Sequence, residues 1–273
     1  VIDNSGKVAE YIYSCRQMGI QILPPDINKS VGTFSVENGN IRFGLTAIKS
    51  VGRPVIQAII EERKERGEFK HLKDFIERMG GREVNKRTIE NFIKAGVFDS
   101  LGGTRKQFMM IYIQIMDQVN QERKYSMTGQ MSLFDLVDDE QKKEFEIPLP
   151  KVGEYEKENK LAFEKEVLGV YLTGHPLEDY EEKWKKSISR TTLDFQIDDE
   201  TGRSRVRDGA KEIVGGMITN KTIKYTRNNK TMAFLTIEDL MGTVEVVVFP
   251  RDYERNQNYL NEDSKVFVKG RVS

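Results

Sequence analysis

The chain has 273 residues, 38% of them hydrophobic and 32% charged, with a formal net charge of zero, and this length favours two or three compact domains. No apolar run approaches the roughly 20 residues of a membrane span and no basic-then-apolar leader opens the chain, so the composition excludes a membrane-spanning protein and indicates a cytosolic one. The single cysteine, Cys15, excludes an internal disulfide, and its apolar surroundings favour a packed thiol over a nucleophile.

The first 45 residues predict a helix followed by a β-hairpin. Apolar side chains recur at helical spacing over residues 5–19, and Gly19 is a good C-terminal cap. Residues 33–36 and 41–44 alternate apolar and polar side chains, as half-buried strands do. Between them, the Asn38-Gly39 pair supplies the positive φ angles that a tight hairpin turn needs.

Residues 45–124 predict four or five short helices. Pro54 suits the start of a helix, where its missing N–H costs nothing, and Gly67 and Gly96 suit helix ends. A third helix is predicted over 88–95. The apolar stripes of the other helices are Val55, Ile56, Ile59 and Ile60; then Phe69, Leu72, Phe75 and Ile76; and, in a longer helix after Gly102-Gly103-Thr104, Phe108, Ile111, Tyr112, Ile115 and Val119.

The middle of the chain predicts a linker with two helices. Residues 125–129 are typical of a flexible connection, and the acidic, proline-containing run that ends near Glu158 is poor in large apolar groups. Helices are predicted over 154–169 and near 177–184.

The last part of the chain predicts a β-barrel. Strand-strand-strand-helix-strand is the order of a five-stranded OB barrel without its last strand. That missing strand, and Val1 in place of Met, suggest a piece of a longer polypeptide. The strand runs are 213–223, 231–238, 244–249 and 265–272, and the helix is 251–260.

Charge is segregated along the chain. Residues 46–124 hold 16 Lys/Arg against 11 Asp/Glu, residues 130–200 hold 10 against 19, and residues 201–273 hold 13 against 9. Two basic blocks that flank an acidic one predict a polyanion held at two separate places. Random scatter of charge is the alternative.

Residues 48–54 predict a helix-hairpin-helix, which binds DNA without reading its sequence. Small residues in the turn let backbone N–H groups approach a phosphate, and flanking basic side chains add charge. Ser50 stands where glycine is usual, a second and weaker candidate follows at 94–98, and a plain helical turn is the alternative. The predicted DNA-contacting residues are Lys49, Ser50, Val51, Gly52, Arg53, Lys94 and Gly96.

The sharpest motif is the peptide Gln130-Met131-Ser132-Leu133-Phe134. Peptides of the form Gln-aliphatic-(Ser/Asp)-Leu-Phe dock on the bacterial sliding clamp, with a polar anchor and two adjacent apolar side chains that fill a preformed pocket. Leu133 and Phe134 stand between polar stretches, with no helical or strand stripe to join. A tether that packs these two side chains on the chain's own core is the alternative.

The turn between the first two barrel strands is basic, which predicts contact with single-stranded DNA. A solvated hairpin is the alternative. The predicted contact residues are Lys221, Lys224, Arg227 and Lys230.

The sequence carries no motif for metal or nucleotide chemistry. His71 and His175 are isolated, without a Cys, His or Asp cluster at metal-ligand spacing. There is neither a Walker motif nor a strand with Asp-x-Asp to hold two magnesium ions. We therefore expect no catalytic residue, metal or cofactor in this chain.

Several blocks together resemble the bacterial DNA polymerase III α subunit, the family C replicative polymerase. They run in the order of that family and extend over nearly the whole chain. The blocks are Gly19-Ile20 with Leu23-Pro24-Pro25-Asp26-Ile27-Asn28, then residues 42–49, then Asn85-Lys86-Arg87, then residues 94–99, and finally residues 168–177.

The resemblance implies a domain order. Residues 1–45 would end the fingers domain, 46–124 would form a tandem helix-hairpin-helix domain, 125–209 would hold the clamp-binding motif and an acidic helical linker, and 210–273 would form the OB domain. An OB domain after the hairpins resembles the DnaE-type arrangement.

The resemblance also implies partners and an activity for the parent protein. The parent would be a DNA-directed DNA polymerase that uses Mg²⁺ and deoxynucleoside triphosphates, with its catalytic aspartates outside this chain. Its partners would be primer-template duplex, single-stranded template, the sliding clamp (β subunit) and, through regions outside this chain, other replicase subunits, with no membrane.

The expected fold class is therefore α+β and multidomain: a helical helix-hairpin-helix domain, a linker with the clamp-binding peptide, and a truncated OB barrel. The expected function is to hold DNA and dock on the clamp during chromosome replication. A free-standing, non-enzymatic adaptor for clamp and DNA is the alternative, whereas a nuclease or repair helicase needs motifs that are missing.

Overall fold

A computed structural model describes residues 5–81, 84–127, 147–197 and 202–273. No helix in these ranges is both long and apolar enough to cross a membrane. In chain order the elements are α1 (Ser5–Gln17), β1 (Ile22–Leu23), β2 (Ser35–Glu37), β3 (Asn40–Arg42), α2 (Arg53–Arg66), α3 (Leu72–Met79), α4 (Lys86–Ala95), α5 (Arg105–Met127), α6 (Lys157–Leu168), α7 (Glu181–Ser187), β4 (Lys211–Tyr225), β5 (Thr231–Glu238), β6 (Thr243–Val248), α8 (Pro250–Asn256) and β7 (Lys265–Arg271).

The chain divides into two compact units. One unit is Ile20–Thr173, and the other combines Val1–Gly19 with Gly174–Ser273. The domain boundaries expected from the sequence stay predictions.

The unit Ile20–Thr173 opens with a three-stranded sheet in the order β1-β3-β2. Strands β2 and β3 form an antiparallel hairpin, and its turn residues Asn38 and Gly39 have φ angles of 50° and 77°. The predicted hairpin is confirmed, with strands that reach one residue closer to the turn on each side. The parallel strand β1 was not predicted, because two residues give no alternation to recognise.

Phenylalanine rings hold the helices of this unit together. The Phe75 ring centroid lies 5.2 Å from that of Phe69, 6.2 Å from that of Phe92 and 5.0 Å from that of Phe98. The Phe98 ring in turn meets the Phe108 ring at 6.5 Å. Such tilted and edge-on pairs contribute about 0.5–1.5 kcal/mol each beyond the area they bury. Three of these rings (Phe69, Phe75 and Phe108) lie on the predicted apolar stripes.

The second unit is built on a four-stranded antiparallel sheet in the order β6-β5-β4-β7. Strand β4 pairs with β7 over Lys211–Met217 and with β5 over Met217–Tyr225, and a register shift between Ile218 and Asn220 interrupts the ladder with β5. Helix α8 lies in the chain between β6 and β7, as predicted. One face of the sheet carries the core, formed by Ile218, Ala233, Leu235, Tyr253 and Leu260.

The opposite face of β4 packs against the segment around α7. The buried Trp184 donates its indole N–H to the carbonyl oxygen of Gly215 at 2.7 Å. A Cβ on Gly215 would lie 2.5 Å from the Phe267 ring, and a Cβ on Gly216 would lie 2.4 Å from the carbonyl oxygen of Glu238. This glycine pair is needed because neighbouring groups come too close for any side chain.

Candidate nucleic-acid interface

The first predicted hairpin connects a short 3₁₀ turn, Leu45–Ala47, to α2. Its backbone is anchored by α4, because the Asn91 side-chain amide donates to the carbonyl oxygen of Lys49 at 2.8 Å. Ser50 has a φ of 62°, in the left-handed region that glycine adopts most easily. The turn predicted between the two helices is confirmed, and Ser50 takes the conformation of the glycine that is usual there.

The N-terminus of α2 presents a row of open backbone donors. Gly52 is the N-cap residue and has no side chain to cap the helix, while Pro54 lacks an N–H. The N–H groups of Ser50, Gly52, Arg53 and Val55 form no hydrogen bond to any residue that the structure describes. N–H groups at the positive end of a helix dipole bind anions, so this turn is suited to a phosphate.

A surface depression of ≈ 540 Å³ adjoins this row of donors. Its far wall includes the start of α4, where Asn85 Oδ1 accepts the N–H of Thr88 at 2.9 Å. Two helix N-termini thus line one depression, and sequence reasoning missed the second, although a capping Asn85 before Lys86 and Arg87 was a visible signal. The lining residues are Ser50, Gly52, Val55, Gly81, Val84, Asn85 and Thr88.

The two basic side chains predicted in this hairpin have different surroundings. Lys49 Nζ donates to the carbonyl oxygen of Glu166 at 2.9 Å, and the Lys49 N–H donates to that of Val167 at 2.8 Å. Its ammonium is therefore engaged at the C-terminal end of α6. Arg53 is exposed and forms no ion pair within the described part of the chain, so it is available to an external anion.

The second predicted hairpin is a buried turn. The N–H groups of Gly96 and Val97 both donate to carbonyl oxygens of α4. Lys94 Nζ lies 2.9 Å from a Glu90 carboxylate oxygen and 2.8 Å from one of Glu166. Burial works against the charge of Lys94, but the two carboxylates outweigh it and raise its pKa above the ordinary value. These contacts favour a structural role for Lys94 and Gly96 over the predicted DNA contact.

The buried side chain of Arg105 explains why residue 96 of this turn is a glycine. Gly96 has a φ of 79°, and a Cβ on it would lie 2.2 Å from Nη2 of Arg105. The Arg105 side chain is 2% exposed, and it donates to Asp99 at 2.9 Å and to Glu164 at 3.3 Å. The junction of α4 and α5 is therefore fixed by a charge network in which the buried Arg105 is already paired.

The N-terminus of α5 already holds a carboxylate. The N–H groups of Arg105 and Lys106 donate to the two Glu154 carboxylate oxygens at 3.1 and 3.2 Å, and that of Tyr155 donates at 2.7 Å. Burial alone would raise the pKa of Glu154, but these three donors outweigh it and hold the pKa below its ordinary value. The start of α5 thus has an internal anion where the start of α2 is open.

The basic residues predicted on the barrel hairpin do not share one face of the sheet. Lys221 pairs in register with the core residue Leu235, and its Nζ lies 5.6 Å from the ring centroid of Tyr253. Lys224 lies on the opposite face, with its Nζ 4.6 Å from the ring centroid of Phe234. Three residues apart on a strand, the two side chains point in opposite directions.

The turn between β4 and β5 carries the other two predicted cations. Arg227 and Lys230 are exposed. The turn is closed by a hydrogen bond from the Thr226 N–H to the Lys230 carbonyl oxygen at 2.9 Å. Lys224, Arg227 and Lys230 therefore lie at one end of the sheet, while Lys221 is separated from them by the sheet itself.

The outer face of this sheet carries an apolar surface that sequence reasoning missed. Thr222, Phe234 and Val247 lie side by side across β4, β5 and β6. Phe249, just after β6, is 63% exposed. The exposed Phe249 ring, and the partly exposed Phe234 ring next to Lys224, suit base stacking. The alternation within β5 and β6 was the signal, because it places Phe234 and Val247 away from the core.

The clamp-binding peptide and the two histidines remain to be placed. The clamp-binding residues Gln130, Met131, Ser132, Leu133 and Phe134 lie outside the described residues. His71 and His175 each accept a backbone N–H, from Asp74 at 3.0 Å and from Leu177 at 3.1 Å. Within the described ranges, no group of three or more His, Cys, Asp or Glu side chains is placed to hold a metal ion.

Comparison with known families supports the two folds. Residues 19–108 match the model of a helix-hairpin-helix motif, and residues 213–273 match that of an OB-fold nucleic acid binding domain. The predicted fold class, a helical helix-hairpin-helix domain followed by an OB fold, is confirmed.

Similar proteins match the chain from end to end. The DNA polymerase III subunit alpha of Borreliella burgdorferi is 35% identical over 273 residues, which are 100% of this chain and 23% of that protein. Those of Thermus aquaticus and Aquifex aeolicus are 35% and 36% identical over 98% of this chain, and 21% and 20% of the respective proteins. The chain spans less than a quarter of the length of these relatives.

Proposed function

We propose, from the premise that this chain belongs to the bacterial DNA polymerase III α-subunit family, that it holds DNA near the active site of a replicative polymerase and tethers that enzyme to its sliding clamp. The parent enzyme would extend a primer in the cytoplasm with Mg²⁺ and deoxynucleoside triphosphates, and this chain would supply grip and no catalytic group. The alternative of a free-standing adaptor has less support, because the relatives carry the matching region within a much longer chain.

The row of open N–H groups from Ser50 to Val55 is the observation that carries the proposal. It combines free backbone donors, a helix dipole, the exposed Arg53 and an adjoining depression. Phosphate contacts of this kind carry no sequence information, so they let a duplex slide while it stays bound. The hairpin would therefore hold the duplex by its backbone behind the growing primer end.

The OB fold would meet the single-stranded template. Its proposed contacts are Lys224, Arg227 and Lys230 at the β4–β5 end of the sheet, with the partly exposed Phe234 and the exposed Phe249 of the outer face. Cations would hold the phosphates and the rings would stack on bases, a division that tolerates any sequence. Lys221 is on the core face and has no part in this proposal.

The clamp would be bound by the peptide Gln130–Phe134. The support is the motif, with Gln130 as polar anchor and Leu133 and Phe134 as the side chains that enter an apolar pocket. Apolar burial is little affected by salt, whereas phosphate contacts weaken with it. Binding of the peptide to the clamp would therefore persist at salt concentrations that weaken the phosphate contacts with DNA.

The hairpin is tested by charge reversal at Arg53. We expect Arg53→Glu to weaken binding to a short duplex and to lower the slope of log affinity against log salt by about 0.9, the value for one phosphate contact. Lys64→Glu, the same charge change at the other end of α2, is the matched control and should leave the slope unchanged. Equal effects of the two variants, or an unchanged slope for Arg53→Glu, would remove the hairpin from the proposal.

A further inference from the structure

The outward side of β7 is a stripe of cations around one aromatic ring. Lys265, Phe267, Lys269 and Arg271 are exposed, while the intervening Val266 and Val268 are half-buried. Side chains two apart on a strand share a face, about 7 Å from one another. Lys211 on β4 is the register partner of Arg271 and shares that face. We call Lys211, Lys265, Phe267, Lys269 and Arg271 the β7 stripe.

The ring of Phe267 is held in place and left open. It rests on Gly215, where a Cβ would lie 2.5 Å from the ring, yet 46% of Phe267 is exposed. Beside it, Lys265 Nζ lies 4.3 Å from the ring centroid of Tyr180, which is 47% exposed. The stripe therefore offers the ring of Phe267 among its cations, and the Tyr180 ring lies next to it.

The cations of the stripe are not neutralised. Lys211, Lys269 and Arg271 form no ion pair in the part of the chain that the structure describes. Glu212 is the nearest acidic residue in sequence to Lys211, but it is the register partner of Gly270 on the other face and interacts with Arg190 at 3.6 Å. Three unpaired charges on one strand pair attract a polyanion.

We propose that the β7 stripe is a second track for single-stranded DNA on the OB domain. The inference rests on the proposed function in taking single-stranded DNA as the ligand, but it concerns a different surface. Lys211 and Lys224 lie at opposite ends of β4, roughly 40 Å apart along the strand. A strand on the stripe would lie along β7 for roughly 20 Å, with phosphates on the cations and a base on Phe267.

Protection of a sheet edge is the competing explanation. Lysines on an edge strand prevent pairing with other chains, and β7 is an edge of the described sheet. An exposed Phe267 between the lysines works against that purpose, because an apolar side chain on an edge promotes association. The ring thus favours a ligand over edge protection.

The test measures binding of the 273-residue chain to an oligothymidylate of about 30 nucleotides, longer than one OB site. We expect Lys269→Ala with Arg271→Ala to lower the salt slope by about 1.4, the value for two single-strand phosphate contacts. Phe267→Leu, which keeps an apolar side chain, should weaken binding at least about fivefold through lost stacking. Arg251→Ala with Arg255→Ala, on helix α8 at the core face of the sheet, removes the same charge away from the stripe and should change neither quantity.

Three variants separate the outcomes. If Arg227→Ala with Lys230→Ala weakens binding while the β7 variants match the wild type, the stripe protects an edge and the inference is wrong, whereas the proposed barrel function stands. If the wild type does not bind the oligonucleotide, both are wrong. Photo-crosslinks from iodouracil-substituted strands to the peptide 265–271, lost in Phe267→Leu, would support the stripe directly.

Discussion

Ser50 lies in the turn of the first helix-hairpin-helix and has a strained backbone conformation. Its φ of 62° lies in a region that is unfavourable by about 1–2 kcal/mol for residues with a Cβ. Serine tolerates this region better than branched residues do, and the carbonyl of the preceding Lys49 is held by Asn91. The turn is therefore fixed from outside, which allows a residue other than glycine to occupy it.

Two substitutions at Ser50 should have opposite effects on stability: glycine should stabilise the fold and valine should destabilise it. We expect Ser50→Gly to raise the free energy of unfolding by about 0.5–1 kcal/mol, because relief of strain exceeds the added freedom of the unfolded chain. Ser50→Val, with a branched Cβ, should lower it by more than about 1 kcal/mol. Urea unfolding followed by circular dichroism measures both. A less stable glycine variant would show that the serine side chain contributes a contact of its own.

The residues predicted to contact DNA differ in how well the sequence indicates their surroundings. Arg53, Lys224, Arg227 and Lys230 were predicted, and the structure leaves them exposed or partly exposed as a surface contact requires. Lys94 was predicted on the same grounds, yet it pairs with Glu166, more than 70 residues later in the chain. A basic residue shows its charge in the sequence, but whether that charge is already paired depends on contacts that only the folded chain brings about.

At the level of helices, the starts of α2 and α5 are opposites. The start of α2 is uncapped and open, while the start of α5 holds the Glu154 carboxylate on two N–H groups. A carboxylate in that position stabilises the helix by its favourable interaction with the positive end of the helix dipole, as a bound phosphate would. The fold thus satisfies one helix start from within and leaves the other open.

Removal of the Glu154 charge should make helix α5 less stable in a pH-dependent way. The pKa of Glu154 is lower in the folded chain than in the unfolded one, so its contribution is fully present above the unfolded pKa and is lost as pH falls through the folded pKa. We expect Glu154→Gln to reduce the free energy of unfolding by about 1 kcal/mol at neutral pH. Urea titrations across the acidic range measure it. Glu65→Gln, which removes an exposed carboxylate away from any helix start, is the control. A constant difference between Glu154→Gln and the wild type down to the lowest pH would contradict the assignment.

The sequence predicts elements well where their signals are local. Pro54 lies in the first turn of α2, Gly96 ends α4, and the Asn38-Gly39 turn was correctly placed, because each signal acts within a few residues. The cap of α5 was missed because Glu154 is 49 residues away from Arg105. The far wall of the depression was missed for the same reason, since Asn85 is far along the chain from Ser50.

For the whole molecule, mutation of the proposed clamp-binding peptide should remove clamp binding without affecting DNA binding. We expect Leu133→Ala with Phe134→Ala to abolish binding to the sliding clamp, because two pocket-filling side chains are lost. Duplex affinity should be unchanged, since the proposed phosphate contacts would supply it from another part of the chain. A pull-down with purified clamp and a duplex titration measure the two properties.

The control for the clamp experiment lies two residues further on. Leu136→Ala with Val137→Ala removes similar apolar groups just outside the motif and should leave clamp binding intact. Clamp binding that survives in the motif variant would rule out Gln130–Phe134 as the site of clamp attachment.

The placement of Trp184 has a practical consequence. It is the one tryptophan of the 273 residues, and it is buried against Gly215 in the unit that contains the OB sheet. Indole emission shifts to longer wavelength when the ring meets water, so this signal follows the opening of that unit alone. Far-ultraviolet ellipticity follows the helices of the other unit as well, and the two spectra together resolve the melting of each part without any added label.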